Sequence, residues 1–417
     1  MSGRSAIPIL DPMDLRPDPS APLPPAPDPW AGSEMPSHRD GPPFHMTDMI
    51  AAEPAMAARI LRSLLAPGSG AAKAAAAIRE HAQHGRPILV TGCGTSEHGA
   101  LAVAEIVREA MRAAGLPWRL GQAGAPVPVQ AFEAALEDRI APDDGFVIGI
   151  SHEGGTWATN LVLERARDAG ARVALITCSA RSPGAALADI VVATEEQDQS
   201  WCHTVGYLSP ILAAAAIADH VTAVGIDVGG VEALLAYGLT EAATADTERL
   251  AQGMSAVDRL IVVGSGADRP AARELVLKVE EGAHLPAAMR DLETLLHGHL
   301  AGMDGRTGVV LVLTDTARAD ERAGRAAGVL RAVAELGIQA GAILGGIYLD
   351  RIPAELTPAG RLVVPSAGGV PAATASLIGS AVPLQLLTER LARVRGIDPD
   401  PIRRDDPAYL RAAEAAG

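Results

Sequence analysis

The chain has 417 residues, a net charge of −15, 48% hydrophobic residues and only 3% aromatic ones. That length allows two to three domains, and an acidic chain with no long basic run excludes broad nucleic-acid binding. Three cysteines, Cys93, Cys178 and Cys202, are too few and too scattered for a disulfide framework or a structural zinc site.

Residues 1–45 are read as an extended arm draped over the body, because the dozen prolines up to residue 43 fix φ and remove amide donors. No apolar run of signal-peptide length precedes those prolines. The best membrane-span candidate, Ile211 to Val224, is short and contains Asp219. A reduced, soluble, cytoplasmic protein with no membrane partner is expected. A helix from Met46 to about Leu65 follows, with Thr47 or Asp48 as its cap and Pro54 closing a short first piece.

Strand-like and helix-like stretches then alternate. An apolar run at 86–91 ends in GCGTSEHG, before a helix from Ala100 to Ala114. Phe146–Ile150 ends in SHEGGT, before a helix from Trp157 to Ala169; Arg172–Thr177 and Asp189–Ala193 are further strands. Such alternation predicts a parallel sheet covered on both faces. The strand and Gly-x-Gly turn at 90–96 recur at 262–268, with strands at 309–314 and 339–344 and a helix at 320–336. Two doubly wound, flavodoxin-like α/β domains in tandem are predicted, 46–235 and 236–395, with a tail at 396–417. An offset of about 170 residues suggests duplication.

Ligands of open parallel sheets bind beyond the carboxyl ends of the strands. Both turns stand there, offering glycine amides and the hydroxyls of Thr95, Ser96, Ser151 and Thr156 ahead of helix dipoles. Each turn alone is equally consistent with a tight, capped strand-to-helix connection. Neither is a dinucleotide fingerprint, and no GK[ST] loop exists. No cofactor and no metal are expected, although His297, His299, Glu293 and Glu281 leave a metal reading open.

CysGlyThrSer after one strand, Ser-x-x-Gly-x-Thr after the next, GluGlnAspGlnSerTrpCysHisThr at 196–204, LysValGluGluGlyAlaHis and LeuLeuHisGly together resemble the sugar isomerase (SIS) family. The resemblance runs from about Met46 to Tyr409. It is narrowest to the tandem-SIS isomerase half of glucosamine-6-phosphate synthase and to amino-sugar-phosphate deaminases. It implies that Gly94, Thr95, Ser96, Ser151, His152, Glu153 and Thr156 hold a sugar or sugar phosphate. Glu281, 16 residues before His297, is implied to move the proton between adjacent carbons, and His297 to open the sugar ring. Because the histidine comes from a neighbouring subunit in relatives, a homodimer is implied. The glutaminase half has no counterpart in this sequence, so glutamine-powered synthesis is not expected of this polypeptide alone.

The sequence departs from the family in four places. Glu153 replaces a neutral residue; against a phosphate at about 4 Å it costs about 4 kcal/mol per unit charge at an effective dielectric of roughly 20. His299 replaces a proline. The 396–406 tail has no lysine, with Arg403 and Arg404 as its cations, and Glu280 adjoins Glu281. The reading is therefore an aldose–ketose isomerase or deaminating isomerase, with a non-catalytic carbohydrate sensor as the alternative.

Overall fold

The structure, a computed structural model, describes residues 18–26, 39, 41–117, 124–137 and 144–416. The first half runs α1 (His45–Leu64), α2 (Gly70–Gln83), β1 (Ile88–Gly92), α3 (Thr95–Ala113), β2 (Pro126–Gln130), α4 (Ala131–Leu136), β3 (Phe146–Ile150), α5 (Trp157–Asp168), β4 (Arg172–Thr177) and β5 (Ile190–Ala193). Helices α6 (Val205–Thr222), α7 (Val228–Tyr237) and α8 (Glu241–Met254) lead onward. The second half runs β6 (Arg259–Gly264), α9 (Arg269–Ala283), β7 (Ala287–Asp291), α10 (Leu292–Leu295), β8 (Thr307–Leu313), α11 (Ala319–Glu335), β9 (Gln339–Gly345), β10 (Gly360–Val364), α12 (Ala372–Gly379), α13 (Ala381–Arg395) and α14 (Pro407–Ala416).

Each half holds a five-stranded parallel sheet, ordered β2-β1-β3-β4-β5 and β10-β9-β8-β6-β7. Numbered within its own half, each sheet has the same strand order, so both switch direction beside their first strand. Central β3 and β8 are buried along their whole length. That is why they read as continuous apolar runs, as parallel strands covered by helices do. Strands β2, β7 and β10 were not foreseen. All three are sheet edges, half-exposed, and therefore short of the buried apolar signal. Prolines at 126 and 128 further disguise β2.

One buried cluster joins the halves, with α1 meeting α13, α3 meeting α9, and α6 and α7 meeting α12. Residues 235 and 236 both lie inside α7. Helix α6 is long and apolar enough to cross a membrane by composition, but 83% of that window is buried inside the protein. Its apolarity is that of a central core helix.

Helix α1 differs from expectation at its start and at Pro54. Its first amides, His45 and Met46, donate to the Asp400 carboxylate at 2.8 and 2.9 Å, so the cap comes from the carboxyl-terminal tail. Thr47 instead accepts from Phe44 N at 3.1 Å and donates to Glu389 at 2.6 Å. Pro54 lies within the unbroken helix, at the cost of its amide bond to Ile50; packing on both sides holds the turn. The described part of the arm lies against the first half: Leu23 N donates to Glu196 Oε2 at 3.1 Å, and Arg59 donates to the carbonyls of Ser20 and Ala21.

Candidate functional site

The turn between β1 and α3 is shaped by glycine. A Cβ on Gly92 would lie 2.4 Å from the Ser96 carbonyl, and Gly94 has φ +57°, a conformation few side chains adopt. Thr95 and Ser96 are buried. Thr95 donates across the halves to Glu274 Oε1 at 3.3 Å, and His98 Nδ1 bonds Glu274 Oε2 at 2.7 Å. In the turn after β3, Ser151 Oγ donates to Thr156 Oγ1 at 3.2 Å. The His152 carbonyl accepts from Thr177 Oγ1 and Cys178 N, at 3.0 and 2.8 Å. Gly154, at φ +66°, is pressed against Ser182, whose Oγ would lie 2.2 Å from a Cβ there. Glu153 Oε1 is buried with no hydrogen-bond partner among the described residues.

Asp198 organises the floor. Its Oδ1 accepts from Thr204 N and Val205 N at 3.1 and 3.2 Å, and its Oδ2 from Gly206 N at 2.5 Å. It thus satisfies amides that open α6 and places its charge at that helix's positive end. Gly206 must be glycine here, because a Cβ would approach Asp198 Oδ2 to 2.8 Å. The same oxygen bonds His203 Nδ1 at 2.9 Å, while Asp198 N donates to His152 Nε2 at 2.9 Å. Burial alone would raise the Asp198 pKa, but His203, His152 and the Gly206 amide bring it down to about 2. Burial disfavours the His203 cation too; the Asp198 carboxylate more than offsets this, so its pKa is raised. Burial dominates at His152, whose pKa is lowered. With Nδ1 committed to Asp198, Nε2 of His203 is left for other partners, and 23% of its side chain stays exposed.

The second half supplies one face of α9. Glu274, Lys278 and Glu281 stand at i, i+4 and i+7, the spacing that puts side chains on one side of a helix. The Lys278 ammonium is fully buried, 3.5 Å from Glu274 Oε1 and in contact with Glu281 Oε2. Burial works against its charge, but Glu281 and Glu274 outweigh that and push its pKa up. Glu274 would likewise be raised by burial; Lys278 and His98 hold it below the ordinary range.

The tail closes a side wall. Trp201 N donates to the Asp400 carbonyl at 3.0 Å, and the Arg404 guanidinium lies 3.5 Å from the centre of the Trp201 ring. Partial burial lowers the Arg404 pKa, opposed by Glu153 and Glu281. That guanidinium therefore senses a first-half turn and α9 together. His203 also senses Lys278 and Glu281.

The sequence-derived residues thus fall into two groups. Thr95 reaches the second half through Glu274, which Lys278 links to Glu281, while Ser151 and His152 bond within the first half, to Thr156 and to Thr177 and Asp198. Thr156 starts α5 at the exposed edge of its turn. His297 lies elsewhere: its side chain is 70% exposed and Nε2 bonds Glu293 Oε1 at 2.7 Å, Glu293 being held in turn by Arg325. Among the described residues, no hydrogen bond or ion pair joins His297 to Glu281 or to the turns. His299 is exposed nearby. No cluster of three His, Cys, Asp or Glu among the described residues could hold a metal. Glu274 escaped the sequence reading, while Asp198, His203 and Lys278 lay inside its motifs at 196–204 and 278–284 without a role of their own. A signal existed for Glu274 and Lys278, since one of only two lysines stands four residues after a glutamate on a periodic helix.

The second half has its own version of the first turn, and it is filled. Asp268, counterpart of Ser96 in the repeated motif, accepts from the amides of Thr314 and Asp315 at 2.8 and 3.0 Å and from Ser376 Oγ at 2.8 Å. A carboxylate of the chain sits where a ligand anion would. Burial lifts its pKa to about 6, against those hydrogen bonds. The folded protein therefore keeps a proton between about pH 4 and 6 that the unfolded chain has lost, so this group's contribution to stability falls as pH rises through that window. Urea unfolding at pH 4 and pH 6 should show that Asp268→Asn removes about 2 kcal/mol of this pH dependence.

No family model matches the chain. It is 27% identical over 323 residues to the glutamine–fructose-6-phosphate aminotransferase [isomerizing] of Pyrobaculum aerophilum, covering 76% of this chain and 50% of that one. The chain thus spans about half the length of the curated relatives it matches. The C-terminal domain of glucosamine-fructose-6-phosphate aminotransferase from Francisella tularensis superposes with a TM-score of 0.72 at 19% identity, over 87% of this chain and 99% of that one. Glucosamine-6-phosphate deaminase from Thermotoga maritima superposes with a TM-score of 0.57 at 17% identity, over 80% and 97%. The chain is similar to the isomerase half of these aminotransferases, and its fold is that of the sugar isomerase domains.

Proposed function

We propose that the chain is an aldose–ketose isomerase, or a deaminating isomerase, acting on a sugar or amino-sugar derivative. The observation that carries this reading is the meeting of both halves beside the first turn, where Thr95 and His98 bond Glu274 of α9, which shares the Lys278 ammonium with Glu281. In this reading Glu281 removes the proton from the carbon beside the carbonyl and returns it to the neighbouring carbon, through an enediol or its amine counterpart. Lys278, in contact with Glu281 and bonded to it, fixes the carboxylate's position.

Ring opening requires a group that exchanges a proton with the ring oxygen near neutral pH. Within one chain His203 can fill this role, oriented by Asp198 in the way a carboxylate orients a catalytic histidine. His297 would serve from a second copy in a homodimer, and its exposed loop leaves it free to do so. Incubating the protein in deuterated water with hexoses, aminohexoses and their phosphates, and following deuterium at C1 and C2 together with ammonia release, tests the reading. Turnover is expected with at least one of them, and His203→Gln should lower kcat about 100-fold for the cyclic sugar while sparing an open-chain analogue. Equal loss on both substrates would remove His203 from ring opening.

A second reading is favoured by the contact between Lys278 and Glu281, which occupies the proposed base. A sensor that binds the sugar without converting it would show thermal stabilisation and no deuterium incorporation.

A further inference from the structure

We propose that the part of the ligand held against the turn at residues 151–156 carries no phosphate, and that Glu153 selects hydroxyl or ammonium groups there. This inference rests on the sugar-binding reading above. Helix amino termini at the carboxyl ends of parallel strands are ready-made anion sites, and here the chain's own carboxylates already stand at those facing the cleft. Asp198 takes the amides that open α6. Glu97 lies in the first turn of α3, and the Thr95 hydroxyl at that helix start is directed to Glu274. Glu153 sits on the turn just ahead of α5.

One hydroxyl of this turn is engaged as well, Ser151 donating to Thr156. Of the local cations, Lys278 is committed between Glu274 and Glu281, and Arg404 is stacked on Trp201. Glu153, Glu274 and Glu281 outnumber these two cations, so a phosphate dianion brought to this wall meets net repulsion in a partly desolvated place. The buried Glu153 Oε1, in contrast, has no donor. A sugar hydroxyl or an ammonium supplies one, relieving an acceptor that is costly to leave unmatched.

Calorimetric titration and thermal shift of the intact chain with glucosamine, fructose, glucosamine 6-phosphate, fructose 6-phosphate and inorganic phosphate test this. The unphosphorylated sugar should bind at least tenfold more tightly than its 6-phosphate. Glu153→Ser should shift that ratio at least tenfold toward the phosphate, and Glu153→Gln should weaken glucosamine binding about tenfold with the melting temperature retained. Equal affinities, or tighter binding of the 6-phosphates to the wild type, would overturn the inference and leave the isomerase reading standing. Absence of binding by any of the sugars would instead remove the sugar-binding reading, and this inference with it.

Discussion

Lys278→Met should destabilise the protein by about 3–5 kcal/mol at pH 7, the range for removing one partner of a buried ion pair. Its ammonium is wholly shielded from water and serves two carboxylates at once, Glu274 and Glu281. Methionine fills a similar volume, so the loss comes from charge rather than from a cavity. Glu274, itself fully buried, would keep only His98 and Thr95 as partners. A second substitution separates these terms. Adding Glu274→Gln to Lys278→Met should recover part of the loss, because it removes the stranded buried charge. Denaturant unfolding of the single and double variants measures both; a single variant as stable as wild type would show that the three side chains carry no net coupling.

Glu281→Gln should lower turnover by about 10² to 10⁴, the usual contribution of a positioned acid or base, with little change in melting temperature. The fold should tolerate it because Lys278 retains Glu274, and because the Glu281 side chain is 20% exposed rather than sealed. Glutamine keeps shape and hydrogen bonding but cannot carry the proton from carbon to carbon. Deuterium exchange at C2 is the decisive readout, since it registers proton abstraction before any later step. Exchange at the wild-type rate would move the chemistry to another group of the cleft. A loss of binding with exchange retained would make Glu281 a holder of substrate rather than a base.

The central strands and the two glycine turns were legible because continuous apolar runs and Gly-x-Gly sequences report burial and backbone conformation directly. Of the edge strands only β5, an apolar run, was legible; β2, β7 and β10 are half-exposed and carry proline or charge. The candidate site was legible only where function rests on local sequence. Ser151 and Thr156 lie in one turn, and Glu281 follows by resemblance. The role of Asp198 was missed because its contacts depend on how an irregular loop folds back: it caps the start of α6 and orients His203, five to eight residues on, and meets His152 from a separate segment. The Asp400 cap on α1 was missed because it joins positions more than 350 residues apart in sequence. Glu153 ran the other way, since the sequence exposed its unusual charge while only the fold shows a buried oxygen without a donor.

That Asp400 cap also bears on the order of synthesis. Helix α1 emerges from the ribosome well before its cap, since its leading amides must wait for a segment translated more than 350 residues later. The same later segment carries Arg404 to its seat on Trp201. Completion of α1 and the seating of Arg404 are thus coupled, so a nascent chain has neither until that segment has been made.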